Sequence, residues 1–136
     1  MEEKDVQLHE EASLHLWKSV KWMKFMAVLM IISAAFLVLG GIMMLVLAPI
    51  YKSVTEAPMG LLGVLYLFMA IVEIFPIMYL LRACKSGKTA AEDNDNEAFV
   101  AFMKNNKDFW KFLGILSIVM IALSIVVLPI VMISAL

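Results

Sequence analysis

The chain has 136 residues, 63% hydrophobic and 17% charged, with a formal net charge of -1. A soluble domain is about one-quarter charged and could not hide this much apolar surface, so a water-soluble globular fold is excluded, and the charge balance gives no support to nucleic-acid binding. No charged residue occurs from Phe25 to Tyr51 or from Phe112 to Leu136, and Glu73 alone interrupts Ala57 to Leu81. Each run exceeds the ~20 residues that cross a ~30 Å hydrocarbon core, whereas apolar helices buried in soluble proteins rarely pass ~14.

The expected fold is therefore an all-α membrane protein, a single membrane domain over residues 1–136 with three transmembrane helices. In chain order, residues 6–24 read as an amphipathic helix that lies in the interface or extends the first span. Leu8, Ala12, Leu16, Val20 and Met23 recur at helical spacing, with Glu10, Glu11, Lys18 and Lys21 on other faces and Trp17 and Trp22 close to the first span. Met1 to Asp5 reads as a solvated tail. A cleavable secretory signal fits poorly, because this segment is acid-rich and the apolar run is too long for an h-region.

The first span is expected at 25–50, the second at 58–82 and the third at 112–134. The short Ile50 to Pro58 connection joins the first two. A cytoplasmic loop is expected over 83–96, containing Ser86-Gly87-Lys88 and then Glu92-Asp93-Asn94-Asp95-Asn96, with Asp95 or Asn96 as a helix cap. Residues 97–111 read as a second amphipathic helix lying on the membrane and running into the third span. Its stripe is Ala98, Phe99, Phe102, Met103, Asn106, Phe109 and Trp110, continuing to Leu113, with Lys104, Asn105, Lys107, Asp108 and Lys111 off it.

Basic residues near span ends resist translocation and mark the cytoplasmic side. Lys4, Lys18, Lys21, Lys24, Arg82, Lys85, Lys88, Lys104, Lys107 and Lys111 collect on one face, against Lys52 alone on the other. The amino terminus and the 83–96 segment are therefore expected in the cytoplasm and the carboxyl terminus outside, with no external segment large enough to fold. Lys18, Lys21, Lys24, Arg82, Lys85, Lys104, Lys107 and Lys111, with Trp17, Trp22 and Trp110, are expected to anchor the helices at anionic lipid head groups. The Lys-x-x-Lys-x-x-Lys-Phe run at 18–25 and the similar run at 104–112 look alike. The shared physics of inward helix ends explains that likeness more simply than duplication does.

Trp17-Lys18 to Phe25, Phe75-Pro76-x-x-Tyr79-Leu80, the acidic polar segment, and Lys104-x-x-Lys107-x-Phe109-x-x-Phe112-Leu113-Gly114-Ile115-Leu116 together resemble a family of small multi-pass bacterial membrane proteins of Bacteroidota type, whose shared domain has no assigned function. The likeness covers most of the chain from about Trp17 onward. It implies a bacterial inner membrane and brings no catalytic residue with it.

Glu73 leads the chemical candidates, because an ionisable group inside a span is costly and marks a functional site by default. Tyr66 lies seven residues earlier on the same face, and Pro76 withholds an N–H from the Val72 carbonyl and is expected to kink the helix. Such a spot suits a proton or cation. The plainer reading makes Glu73 interhelical glue, hydrogen-bonded to Ser33, Ser117 or Ser124.

Other features lead to blander readings. Ser86-Gly87-Lys88-Thr89 echoes a phosphate-binding loop, but Arg82 stands where the motif needs its first glycine. Met23, Met26 and Met30 share a face that reads as adaptable packing rather than a copper site. His9 and His15 both precede the first span, so no intramembrane bis-histidine haem is expected, and Cys84 stands alone as a reduced thiol. No catalytic constellation, metal site or cofactor is expected. Gly40, Gly41, Gly60, Gly63 and Gly114 offer close-packing positions without saying which helix meets which. The chain thus reads as a non-enzymatic accessory or scaffold protein acting through its helices on lipid, a membrane-protein partner or a second copy; the alternative is an oligomeric transporter, channel or holin-like pore using Glu73.

Overall fold

The computed structural model describes the backbone of residues 2–53 and 58–136 and the side chains of residues 10–53 and 58–136. Within them the chain forms α1 (Glu2–Tyr51), α2 (Met59–Asp93) and α3 (Asn96–Ser134). Each is long and apolar enough to cross a membrane, which makes the chain an all-α, multi-pass membrane protein. With 50, 35 and 39 residues, the helices measure about 75, 52 and 58 Å at 1.5 Å per residue, well beyond a ~30 Å hydrocarbon core. The surplus lies at the lysine-rich end.

The central helix is α2. It packs against both neighbours, while α1 and α3 nowhere bring Cα atoms within 8 Å of each other among the described residues. Contact between α1 and α2 runs the full length of an antiparallel hairpin. A Cβ on Gly41 would lie 3.0 Å from the Gly63 carbonyl oxygen, and one on Gly63 would lie 2.9 Å from the Gly41 oxygen, so two backbones touch there and any side chain would part them. Toward the other end, the Cys84 thiol donates to the Val20 carbonyl at 3.9 Å and the Ser13 hydroxyl to the Ala91 carbonyl at 2.9 Å.

Only Asn94 and Asp95 separate α2 from α3. Asn94 takes the left-handed conformation at φ 51°, tolerable for asparagine, and ends α2. The Asp95 carboxylate then accepts from the Glu97 and Ala98 N–H groups at 2.9 and 3.3 Å, capping α3 as expected.

This geometry corrects the loop expected over 83–96. Ala83, Cys84, Gly87 and Ala90 are buried, forming a small-residue stripe at helical spacing that lets α2 run on to Asp93 between its neighbours. The polar residues around that stripe disguise it. The two amphipathic segments extend the spans, residues 6–24 and 97–111 continuing α1 and α3 without a break. Protein covers their apolar stripes in part: Val20, Phe102 and Phe109 are buried and Leu16, Met23 and Leu113 half-buried, while Ala12, Phe99, Met103 and Trp110 stay exposed. The side chains of Lys4 and Leu8, and residues 54–57 of the first connection, lie outside the described residues.

Packing is concentrated at the basic end. Ala27, Leu80 and Phe109, one from each helix, form a buried cluster flanked by Met23, Met30, Tyr79 and Leu113. Two turns further along, Val20 and Phe102 close on Gly87 so tightly that an added Cβ would meet Val20 Cγ2 at 2.6 Å and Phe102 Cδ2 at 2.8 Å. At the other end, every α3 residue from Ser117 to Leu136 is exposed. Apolar exposure of this kind is satisfied by lipid tails.

Candidate intramembrane polar site

Residues seven apart on a helix return to nearly the same face, so Tyr66, Glu73, Leu80 and Gly87 form one stripe along α2. The contacts of its lower members show what the stripe faces. Gly87 lies between Val20 of α1 and Phe102 of α3, and Leu80 lies with Ala27 and Phe109. The stripe is therefore the seam on which both outer helices converge. Gly87 and Leu80 are buried, Glu73 is half-buried and Tyr66 is exposed, so the seam opens progressively toward the far end. Glu73 stands at the first level above the closed section.

On the α1 side, the Tyr66 ring lies 3.7 Å from where a Gly40 Cβ would be. Seven residues from each, Ser33 and Glu73 share a depth. On the α3 side, the Phe112 ring centroid lies 5.9 Å from that of Phe75 and 6.5 Å from that of Tyr79, which puts Ser117 within about one turn of the same depth. The glue expected from Ser33, Ser117 or Ser124 does not form. Glu73 has no hydrogen bond or ion pair with any described residue. The Ser124 hydroxyl donates to its own helix at the Met120 carbonyl, 2.8 Å away, and Ser33 and Ser117 have no partner among the described residues. Pro76 is fully buried inside an uninterrupted helix, so its missing N–H leaves the Val72 carbonyl without an intrahelical donor.

The basic residues form a belt. Lys21 and Lys24 fall between Val20 and Ala27, Arg82 and Lys85 between Leu80 and Gly87, and Lys104 and Lys107 between Phe102 and Phe109. They therefore surround the closed section between its two packed layers. Lys111 lies on the span side of that belt and Lys18 on the other. The single ion pair among the described residues joins Lys107 to Asp108 at 3.9 Å, with Lys107 largely exposed, a geometry that contributes little. Lys21 also sits 3.6 Å above the Trp17 ring, and Trp22 packs edge-on to Phe25 with centroids 6.0 Å apart. Trp22 and Trp110 are well exposed, at 70% and 63%, as residues meeting an interface would be.

Beyond the belt the charge reverses. The Ser13 to Ala91 hydrogen bond aligns Glu10 and Glu11 with Glu92, Asp93, Asp95 and Glu97 at the tip. Sequence reading recognised the belt and the carboxyl but missed this polarity, because the acids come from two distant stretches that only the hairpin register brings together. Cys84, just past Arg82, is buried, and burial pushes its thiol pKa up while the Lys24 charge opposes that shift. Among the described residues no three His, Cys, Asp or Glu side chains gather as metal ligands. No family model matches the chain, and neither curated proteins nor solved structures give a match.

Proposed function

We propose that the chain is a non-enzymatic accessory or scaffold protein of a bacterial inner membrane, with its amino terminus and the α2–α3 turn in the cytoplasm and its carboxyl terminus outside. The observation that carries this reading is the continuity of the helices past the basic belt. About 16 Å of α2, from Ala83 to Asp93 at 1.5 Å per residue, extends beyond Arg82 inside a packed three-helix section. Packing of that kind makes a stiff platform that stands off the bilayer. Lys18, Lys21, Lys24, Arg82, Lys85, Lys104, Lys107 and Lys111 hold it at anionic head groups, each contributing about 1 kcal/mol near such a surface, and the acidic tip is held away from the lipid.

Orientation is tested by replacing Cys84 with Ser and Asn94 with Cys. Labelling from the cytoplasmic side alone is expected, and labelling from outside would reverse the assignment. The scaffold reading is tested by crosslinking in native membranes followed by purification. A partner crosslinked to residues beyond Arg82 is expected; a partnerless chain, whose deletion leaves every other membrane complex intact, would end it.

One observation favours a conducting oligomer as the second reading, namely the unpartnered Glu73 carboxyl. Against it stand the two apolar layers, Ala27-Leu80-Phe109 and Val20-Gly87-Phe102, which close the seam toward the basic end. Proteoliposomes with ion flux that Glu73→Gln abolishes would restore that reading. Silent wild-type liposomes would dismiss it.

A further inference from the structure

We infer that the seam above Glu73 is filled by the outer half of α3 from a second copy of this chain, with the Ser117 hydroxyl of each copy donating to the Glu73 carboxyl of the other. The inference goes beyond the scaffold reading and holds whether or not a cytoplasmic partner exists. It begins from polar groups, because in lipid an uncovered apolar face demands nothing whereas an unbonded polar group does.

Glu73 is a carboxyl inside a span, half-buried, in a seam that both neighbouring helices close lower down, and it has no partner among the described residues. Its own chain has not supplied one: α1 brings Ser33 to the right depth without a bond, and α3 is fully exposed from Ser117 outward. The partner must come from a group at the same depth on a helix free to move into the seam. Ser117 begins the exposed part of α3, lies within about one turn of the depth of Glu73, and has an unengaged hydroxyl.

A second copy inserted in the same direction presents that hydroxyl at the same depth automatically. A two-fold axis along the membrane normal makes the exchange reciprocal, so both carboxyls and both hydroxyls are satisfied and the assembly closes at two. An unrelated partner would need to match that depth by chance. The basic belts and acidic tips of the two copies remain level with each other, so nothing in the charge pattern is displaced.

The test uses the full chain in liposomes, with Cys84→Ser as background. Copies carrying Ser33→Cys are mixed with differently tagged copies carrying Ile121→Cys, one turn out from Ser117, leaving Glu73 and Ser117 intact. Oxidation is expected to crosslink the two tags, at a level well above an Ile31→Cys control, at a position that is exposed and lies about 200° around α1 from Ser33. Energy transfer between labelled copies, followed as lipid dilutes protein, then measures association. Each substitution removes both reciprocal bonds at once, so Glu73→Leu and Ser117→Ala are each expected to weaken association by about eight- to three-hundredfold, the square of the effect of one interhelical hydrogen bond in a membrane. The double variant should be no weaker than the worse single one, and Glu73→Gln, which still accepts, should retain most of the association.

Three results would overturn the inference. One is a chain that stays monomeric at every dilution, and another is association indifferent to Glu73. The third is a Ser33→Cys, Ile121→Cys pair that crosslinks only when both substitutions sit in one copy, since α3 would then be closing on its own α1.

Discussion

Gly87 is the position at which the three-helix section is most exposed to perturbation, because one methyl group there would touch both neighbours of α2. An alanine Cβ would lie 2.6 Å from Val20 Cγ2, 2.8 Å from Phe102 Cδ2 and 3.2 Å from Phe102 Cε2, where carbon atoms prefer about 3.5–4.0 Å. Val20 is β-branched and stiff at χ1, and Phe102 is itself buried, so α1 or α3 must move outward by several tenths of an ångström. Overpacking of this severity costs about 3 kcal/mol, and replacing a helical glycine by alanine returns about 1 kcal/mol. The net expectation is a loss of about 2 kcal/mol, close to thirtyfold in the folding equilibrium.

Gly114 supplies the control, since a Cβ there meets nothing within 4 Å. Gly114→Ala should be neutral or gain up to about 1 kcal/mol from helix propensity alone. Both variants can be followed by unfolding in SDS-titrated mixed micelles, with the fluorescence of Trp17, Trp22 and Trp110 reporting on the basic end where all three lie. If Gly87→Ala unfolded at the same detergent fraction as Gly114→Ala, the close junction of α1, α2 and α3 would be wrong.

Gly63→Val should separate α1 from α2 at the opposite end, where an added Cβ already meets the Gly41 oxygen at 2.9 Å and Leu45 Cγ at 2.9 Å; spin labels on α1 and α2 should record a wider spacing, and an unchanged distance would contradict the contact. Asp95→Ala removes the acceptor for two N–H groups and is expected to cost about 1 kcal/mol in the same unfolding assay, with Asp95→Asn largely retaining the cap. Cys84 should alkylate slowly in the folded chain, because the thiolate is the reactive form and burial raises its pKa. Its rate should climb only at a pH above that of the detergent-unfolded chain, and Lys24→Gln should move the folded profile higher still. By linkage, the favourable contribution of the buried neutral thiol is complete below the unfolded pKa and is lost as pH rises through the folded one. Equal alkylation rates in the folded and unfolded chain would refute its burial.

Which parts of the structure were legible in advance follows from the range of the forces involved. A charge-free run such as Phe25 to Tyr51 is a local property, and the cost of leaving backbone groups unbonded in lipid turns it into a helix without help from any other residue. The same holds for Asp95, whose carboxylate caps α3 through N–H groups two and three residues away. Ala83, Cys84, Gly87 and Ala90 were harder to read. Set among Lys85, Ser86, Lys88 and Thr89 they looked like a polar loop, since their small side chains signal packing only when Val20 and Phe102 are known to lie beside them.

Glu73 shows both sides of that division. Its sequence position alone marked it as an anomaly, because a carboxyl among apolar residues is conspicuous whatever surrounds it. The tertiary structure decided which way it faces, that the seam below it is sealed by Leu80 and Gly87, and that none of the three serines meets it. Three spanning helices, the basic belt and the intramembrane acid are thus local facts of the chain. The unbroken helices beyond the belt, the acidic tip assembled from Glu10, Glu11 and the α2–α3 turn, and the open seam above Glu73 belong to the register between helices, which side chains far apart in sequence set by fitting together.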